Sequence, residues 1–261
     1  MTGPLLQVDK LSRHFGGLAA VSELTFHVDE HEILGIIGPN GAGKTTAINL
    51  VSGVIRPSSG HVRLDGDDVT GLLPHVLARK GLVRTFQSTT VYGERTVYEN
   101  AVRGAYLGMY PGAMAAFFNT RRAREMRADS ERRVGELLEW LNLADVAHLE
   151  AGSLPYGYQK TLGMVITLAA QPRIVMLDEP VAGLSAEEAD HVRDTILKIR
   201  ERGITVIVID HNIRFMKGLC DRVMAMNQGH ELTTGAPLDV LANPKVIEAY
   251  LGRGQAAAHR I

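Results

Sequence analysis

Apolar residues come in short bursts early in this chain and in wider-spaced rows later, and the change of period marks its organisation. "LLQVDKL" and "LTFHV" group their apolar residues as strands do, and "EILGIIG" is apolar almost throughout, as in a strand buried on both faces. "GHVRLDG", bounded by glycines, predicts a fourth strand. After Gln87 the texture turns helical: in "SERRVGELLEWLNL" the residues Val134, Leu137, Leu138 and Leu141 fall on one helical face, and a helical insert is predicted over 88–160. Alternation then resumes, with "RIVMLD" and "ITVIVID" as strands and "AEEADHVRDTILKIRER" and "NIRFMKGL" as helices. This order predicts an α/β fold with a mainly parallel sheet covered by helices. "RVMAMNQGHELTTG" predicts a closing hairpin that turns at Asn227 to Gly229.

A chain of 261 residues is enough for one large domain, or a core domain with a sizeable insert. Its 28 Lys and Arg balance 29 Asp and Glu, and the formal net charge of -1 argues against nucleic acid as a partner. The densest basic stretch, "TRRAREMRADSERR", pairs Arg121 with Glu125, Arg127 with Glu131 and Arg132 with Glu136 at i,i+4, the pattern of a solvated helix. The single cysteine, Cys220, excludes an intramolecular disulfide framework and reads as a buried thiol. "MTGPLLQVDK" lacks the features of a signal peptide. The best candidate for a membrane span, residues 105–118, is short and interrupted by Gly108, Pro111 and Gly112, against the roughly 20 apolar residues that a span needs. Any membrane role is therefore expected to come through a partner.

Candidate chemistry centres on "GPNGAGKT", which places Gly38, Pro39, Asn40, Gly41, Ala42, Gly43, Lys44 and Thr45 in the pattern G-x-x-x-x-G-K-[ST], between an apolar strand and the helix-like "TTAINLVSG" that Thr46 continues. The glycines let the loop wrap so that backbone N–H groups converge on phosphate oxygens, and the helix N-terminus adds a favourable dipole. Lys44 supplies a positive charge to the outer phosphates, and the Thr45 hydroxyl a ligand for Mg²⁺. Asp178, at the end of the second apolar strand "RIVMLDE", is placed to hold Mg²⁺, and Glu179 to orient and deprotonate an attacking water.

With these motifs, "VRTFQ", "VIVIDH", "PVAGLS" and "RHFGG" follow an order and spacing that resembles the nucleotide-binding subunit of ATP-binding-cassette transporters over nearly the whole chain. The resemblance implies a P-loop cassette, in which a mainly parallel core carries an antiparallel β subdomain and a helical subdomain. It implies a core of residues 1–87 and 161–240, a helical subdomain of 88–160 and an extension of 241–261. It implies that Gln87 contacts Mg²⁺ and the lytic water, that His211 reaches the γ-phosphate, and that Phe15 stacks on adenine. ATP and Mg²⁺ are then the expected cofactors. "FGGLAAVSELTFHV", "TVYENA" and "NPKVIEAYLG" resemble the branched-chain amino-acid importers, in particular the larger of their two ATPase subunits. Such a subunit sits peripherally on the cytoplasmic face of the inner membrane. Its partners are integral membrane permease subunits, a second ATP-binding subunit and, indirectly, a solute-binding protein.

"LPYGYQ" occupies the place of the family signature, with Tyr156, Gly157 and Gln159 matching and Pro155 standing where the serine belongs. In the family, this element binds the γ-phosphate on the facing subunit. Proline has neither hydroxyl nor N–H, so a contact is lost unless Ser153 replaces it, and an asymmetric heterodimer is favoured over a homodimer. Ser185 and Asp210 also depart from the family pattern. The alternatives are a soluble cassette ATPase unconnected with transport, a nucleotide-binding module that switches without turnover, and an importer subunit for urea or amides.

Overall fold

The computed structural model describes residues 3–85, 91–108 and 120–251. The early apolar bursts form β1 (Leu6–Phe15), β2 (Leu18–Val28), β3 (Ile33–Ile37) and β4 (Ser59–Leu64), and two exposed aspartates add the short β5 (Asp67–Asp68). β1, β2, β4 and β5 pair antiparallel in the order β2-β1-β4-β5. β3 belongs instead to a second sheet with β6 (Leu82–Arg84), β7 (Ile174–Asp178), β8 (Thr205–Ile209), β9 (Arg222–Asn227) and β10 (His230–Gly235). Its order is β10-β9-β3-β8-β7-β6, parallel throughout except for the β9–β10 hairpin. That hairpin turns through Gln228 and Gly229, both at positive φ, which suits a two-residue turn between twisted strands.

Every residue of β3, β7 and β8 is buried. Their side chains divide by the strand period of two. Leu34, Ile36, Ile174, Met176, Ile207 and Ile209 point into one core with the antiparallel sheet and the helix α1 (Lys44–Val51). Ile33, Ile37, Val175, Leu177, Val206 and Val208 point into the other, under the helices. Two covered faces explain why these strands are apolar at every position.

The remaining helices are α2 (Pro74–Arg79), α3 (Val97–Gly108), α4 (Arg121–Trp140), α5 (Tyr156–Leu168), α6 (Ala186–Glu201), α7 (Ile213–Leu219), α8 (Pro237–Ala242) and α9 (Pro244–Leu251). Val134, Leu138 and Leu141 are buried as the helical period requires. On the outer face Arg121 meets Glu125 at 2.8 Å and Arg132 meets Glu136 at 3.9 Å, while Arg132 and Arg133 share Asp129. No pair between Arg127 and Glu131 is found among the described residues. α5 packs on α3 and α4 and runs through position 160, the boundary that the sequence predicts for the helical insert. Cys220 is buried between α7 and β9, and burial pushes its thiol up to about 12.

Gly104 marks a close helix crossing, because a Cβ on it would lie 2.0 Å from the backbone oxygen of Ile166. Gly104→Ala should force α3 and α5 apart and cost about 1–3 kcal/mol of stability. Urea unfolding followed by circular dichroism measures it, and an unchanged midpoint would show that the crossing tolerates a methyl group.

Candidate functional site

Parallel pairing brings the carboxyl ends of β3, β7 and β8 to one edge, and the predicted phosphate and acidic residues meet there. After Ile37 the chain turns through residues 38–43 into α1, whose N-cap is Gly43. Gly38 has φ 154°, and a Cβ there would lie 2.3 Å from the Met226 carbonyl oxygen, so the loop passes β9 only as glycine. Asn40 and Gly41 form an exposed tip, Pro39 is half-buried, and Ala42 is buried. The Ala42 N–H donates to the Pro39 carbonyl at 3.1 Å, and the Ala42 carbonyl accepts from the Gly229 N–H at 2.9 Å. The loop is thereby tied to the β9–β10 turn.

Lys44 opens α1 and is buried; its Nζ donates to the carbonyls of Gly38 at 2.6 Å and Pro39 at 2.9 Å. Burial lowers its pKa, against the pull of the Glu179, Asp178 and Asp210 carboxylates. Thr45 and Thr46 complete the first turn, with Thr45 exposed.

Asp178 ends β7 and is buried. Arg84, at the end of β6, donates from Nη2 to its Oδ2 at 2.7 Å and from Nη1 to Asn49 of α1. The sequence reading passed over Arg84, since one arginine in "VRTFQ" carries no signal until β6 is paired beside β7. A cation ending an apolar strand, which must find a buried counter-charge, was the clue available.

Glu179 has φ 47°, a left-handed conformation held by its N–H donating to the Ile209 carbonyl at 2.8 Å. Such conformations are costly for residues other than glycine and persist where surrounding structure enforces them. Its Oε1 lies 3.8 Å from His211 Nδ1, which is also 3.8 Å from Asp210 Oδ1. Asp210 is buried; its Oδ1 accepts from the Asn212 N–H at 2.8 Å, and burial raises its pKa. The loop, Lys44, Asp178, Glu179 and His211 thus form one constellation. Gln87 lies outside the described residues. Phe15 ends β1, is 46% exposed and carries the Arg13 guanidinium 4.7 Å from its ring centroid.

The signature stretch starts α5, with Pro155 as N-cap and no side-chain cap. Tyr156 is exposed and Gly157 buried, and the Gln159 side chain folds back to the Leu154 carbonyl at 2.9 Å. The Ser153 hydroxyl donates to the Glu150 carbonyl at 2.7 Å. The Gly157 N–H faces the carboxylate of Glu188, which caps α6 together with Ser185. No described hydrogen bond joins residues 155–159 to the phosphate loop of the same chain.

A glycine-rich loop between a buried parallel strand and a helix, faced by carboxylates from two neighbouring strand ends, defines a P-loop nucleotide-binding α/β protein. The sequence profile of the ABC transporter family matches residues 21–182, and that of the branched-chain amino acid ATP-binding cassette transporter matches residues 232–256. The chain belongs to the ABC transporter family, as one of its ATP-binding, ATP-hydrolysing subunits. It is 39% identical to the high-affinity branched-chain amino acid transport ATP-binding protein BraF of Pseudomonas aeruginosa, over 97% of this chain and 99% of the relative. It is 36% identical to LivG of Escherichia coli, named in the same way, over the same shares. The crystal structure of a nucleotide-free ATP-binding cassette from an ABC transporter superposes with a TM-score of 0.85 at 28% identity, covering 96% of this chain and 100% of that one.

Replacing Arg84 by Met should destabilise the fold by about 3–5 kcal/mol, because it leaves the Asp178 carboxylate buried without its cation. Urea unfolding of the variant tests this, and a loss under 1 kcal/mol would mean that Asp178 finds another partner.

Proposed function

We propose that this ATP-hydrolysing subunit powers the import of branched-chain amino acids or similar small amphipathic solutes, docked on the cytoplasmic face of the membrane against integral permease subunits. The names of BraF and LivG, matched over nearly their whole length, support the solute class. No helix among the described residues is long and apolar enough to cross a membrane, in keeping with docking onto separate membrane subunits. A solute-binding protein would act on the complex indirectly.

The observation that carries the mechanism is the approach of Glu179 to His211 beside Lys44. N–H groups of residues 40–46 and the Lys44 ammonium hold the phosphates, once Lys44 leaves the loop carbonyls for phosphate oxygens. Phe15 offers its exposed ring to adenine. Glu179 takes the proton of a water whose oxygen attacks the γ-phosphorus, the bond to the β-phosphate oxygen breaks, and ADP and phosphate leave. His211 steadies the γ-phosphate. Thr45 and Asp178 are hard oxygen donors suited to Mg²⁺, and the carboxylates converging on Lys44 make the site receptive to a cation. That ion would neutralise phosphate charge, with Gln87 as a further ligand.

The signature residues Tyr156, Gly157 and Gln159 would serve the nucleotide of a facing cassette. With a proline N-cap, Ser153 turned to Glu150 and Gly157 facing Glu188, this chain's signature offers that phosphate little, which favours a heterodimer.

Lys44→Ala should abolish nucleotide binding, and Glu179→Gln should abolish turnover while leaving binding intact; phosphate release and equilibrium binding separate the two. Turnover by Glu179→Gln near the wild-type rate would sink the assigned base. In the assembled transporter, Pro155→Ser should raise turnover, by up to roughly tenfold if the restored hydroxyl reaches phosphate. An unchanged rate would count against the weakened signature. Association with ribosomes or DNA in place of membrane subunits would favour the soluble-ATPase reading.

A further inference from the structure

One face of the Phe15 ring is already taken. The Arg13 guanidinium lies over it, 4.7 Å from the centroid, and Nη1 of the same side chain donates to the Arg56 carbonyl at 2.9 Å. The two residues stand two positions apart at the end of β1, and the Arg13 hydrogen bond reaches across to the segment that follows α1. The guanidinium is therefore anchored at one end and stacked at the other.

That segment is stitched to β1 twice more: the Ser58 N–H donates to the Ser12 carbonyl at 2.8 Å, and the His14 N–H to the Ser58 hydroxyl at 3.2 Å. On the other strand of the hairpin the Ser22 N–H donates to the Gly229 carbonyl at 2.9 Å, and the Gly229 N–H holds the phosphate loop at Ala42. The β1–β2 hairpin, α1 and the phosphate loop thus form one frame. Arg13 ties the exposed ring of Phe15 to that frame.

An aromatic side chain that stacks on a ligand loses rotamer freedom when it does so, and a group that holds the ring beforehand reduces that cost. A guanidinium over one face also decides which face is left for a base. We propose that Arg13 is a positioning residue for adenine, clamping Phe15 from one face so that the other meets the purine, without touching the nucleotide itself. The proposal rests on the reading that Phe15 stacks on adenine. Its consequence is selective: the base feels Arg13, and the phosphates do not.

The test is equilibrium titration of the full-length chain with Mg-ATP and with Mg-tripolyphosphate, which has no base, for wild type, Arg13→Met, Phe15→Ala and the double variant. Phe15→Ala should weaken ATP binding by roughly fivefold to a hundredfold, the range for a ring stacked on a base. Arg13→Met should weaken it by roughly twofold to fivefold, leave tripolyphosphate binding at the wild-type level, and add nothing once Phe15 is gone. ATP binding by Arg13→Met equal to wild type, or a loss of the same size in the Phe15→Ala background, would overturn the proposal. So would an equal loss for tripolyphosphate, which would mark a structural role in the hairpin. Unchanged ATP binding by Phe15→Ala would instead overturn the adenine reading beneath it.

Discussion

Parallel pairing of β3, β8 and β7 is the constraint from which the rest follows. In that register Ile36 and Asp178 both lie opposite Ile209, so the phosphate loop, the Asp178–Glu179 pair and the Asp210–His211 pair emerge side by side. Open parallel sheets bind ligands beyond the carboxyl ends of their strands because only there do several loops converge. The same pairing leaves strands that are apolar on both faces, and each face must be covered. The antiparallel sheet with α1 covers one, and the helices, including those of the middle stretch, cover the other.

Burial sets the electrostatics of that edge. A buried ion pair contributes little net stability, since desolvating both charges offsets their attraction. Arg84 and Asp178 are better understood as a fixture that holds the carboxylate at the strand end and links it to Asn49 of α1. Lys44 lies among carboxylates in the same low-dielectric surroundings, bonded for now to its own loop. Glu179 keeps its left-handed backbone through the bond to Ile209, so the side chain beside His211 is aimed by the strand ladder.

The N-terminus of α5 engages its donors within the chain. A helix start leaves N–H groups to be satisfied from outside. Here Gly157 turns its N–H to Glu188, Gln159 folds onto Leu154, and Pro155 has none to give. Glu188 thereby joins the starts of α5 and α6, and the segment leading from β7 becomes part of the same unit as the signature. At the start of α5 the Gly157 N–H and the Gln159 side chain are thus engaged within the chain, and in the phosphate loop the Ala42 N–H and the Lys44 ammonium are bonded to the loop's own carbonyls.

The sequence by itself determined the phosphate loop, the two acidic strand ends, the alternation of strands and helices, and a turn within Asn227 to Gly229, because each is written in neighbouring residues. Spacing and apolar period suffice where the physics is local. The tertiary structure decided which strands are neighbours, and with that Arg84 beside Asp178 and His211 beside Glu179. It decided also that α5 continues through position 160, since the helix is held by α3 and α4 across a gap in sequence. These contacts join residues up to 94 positions apart, and no local pattern records them. They follow from the strand order and from the need to bury both faces of one sheet.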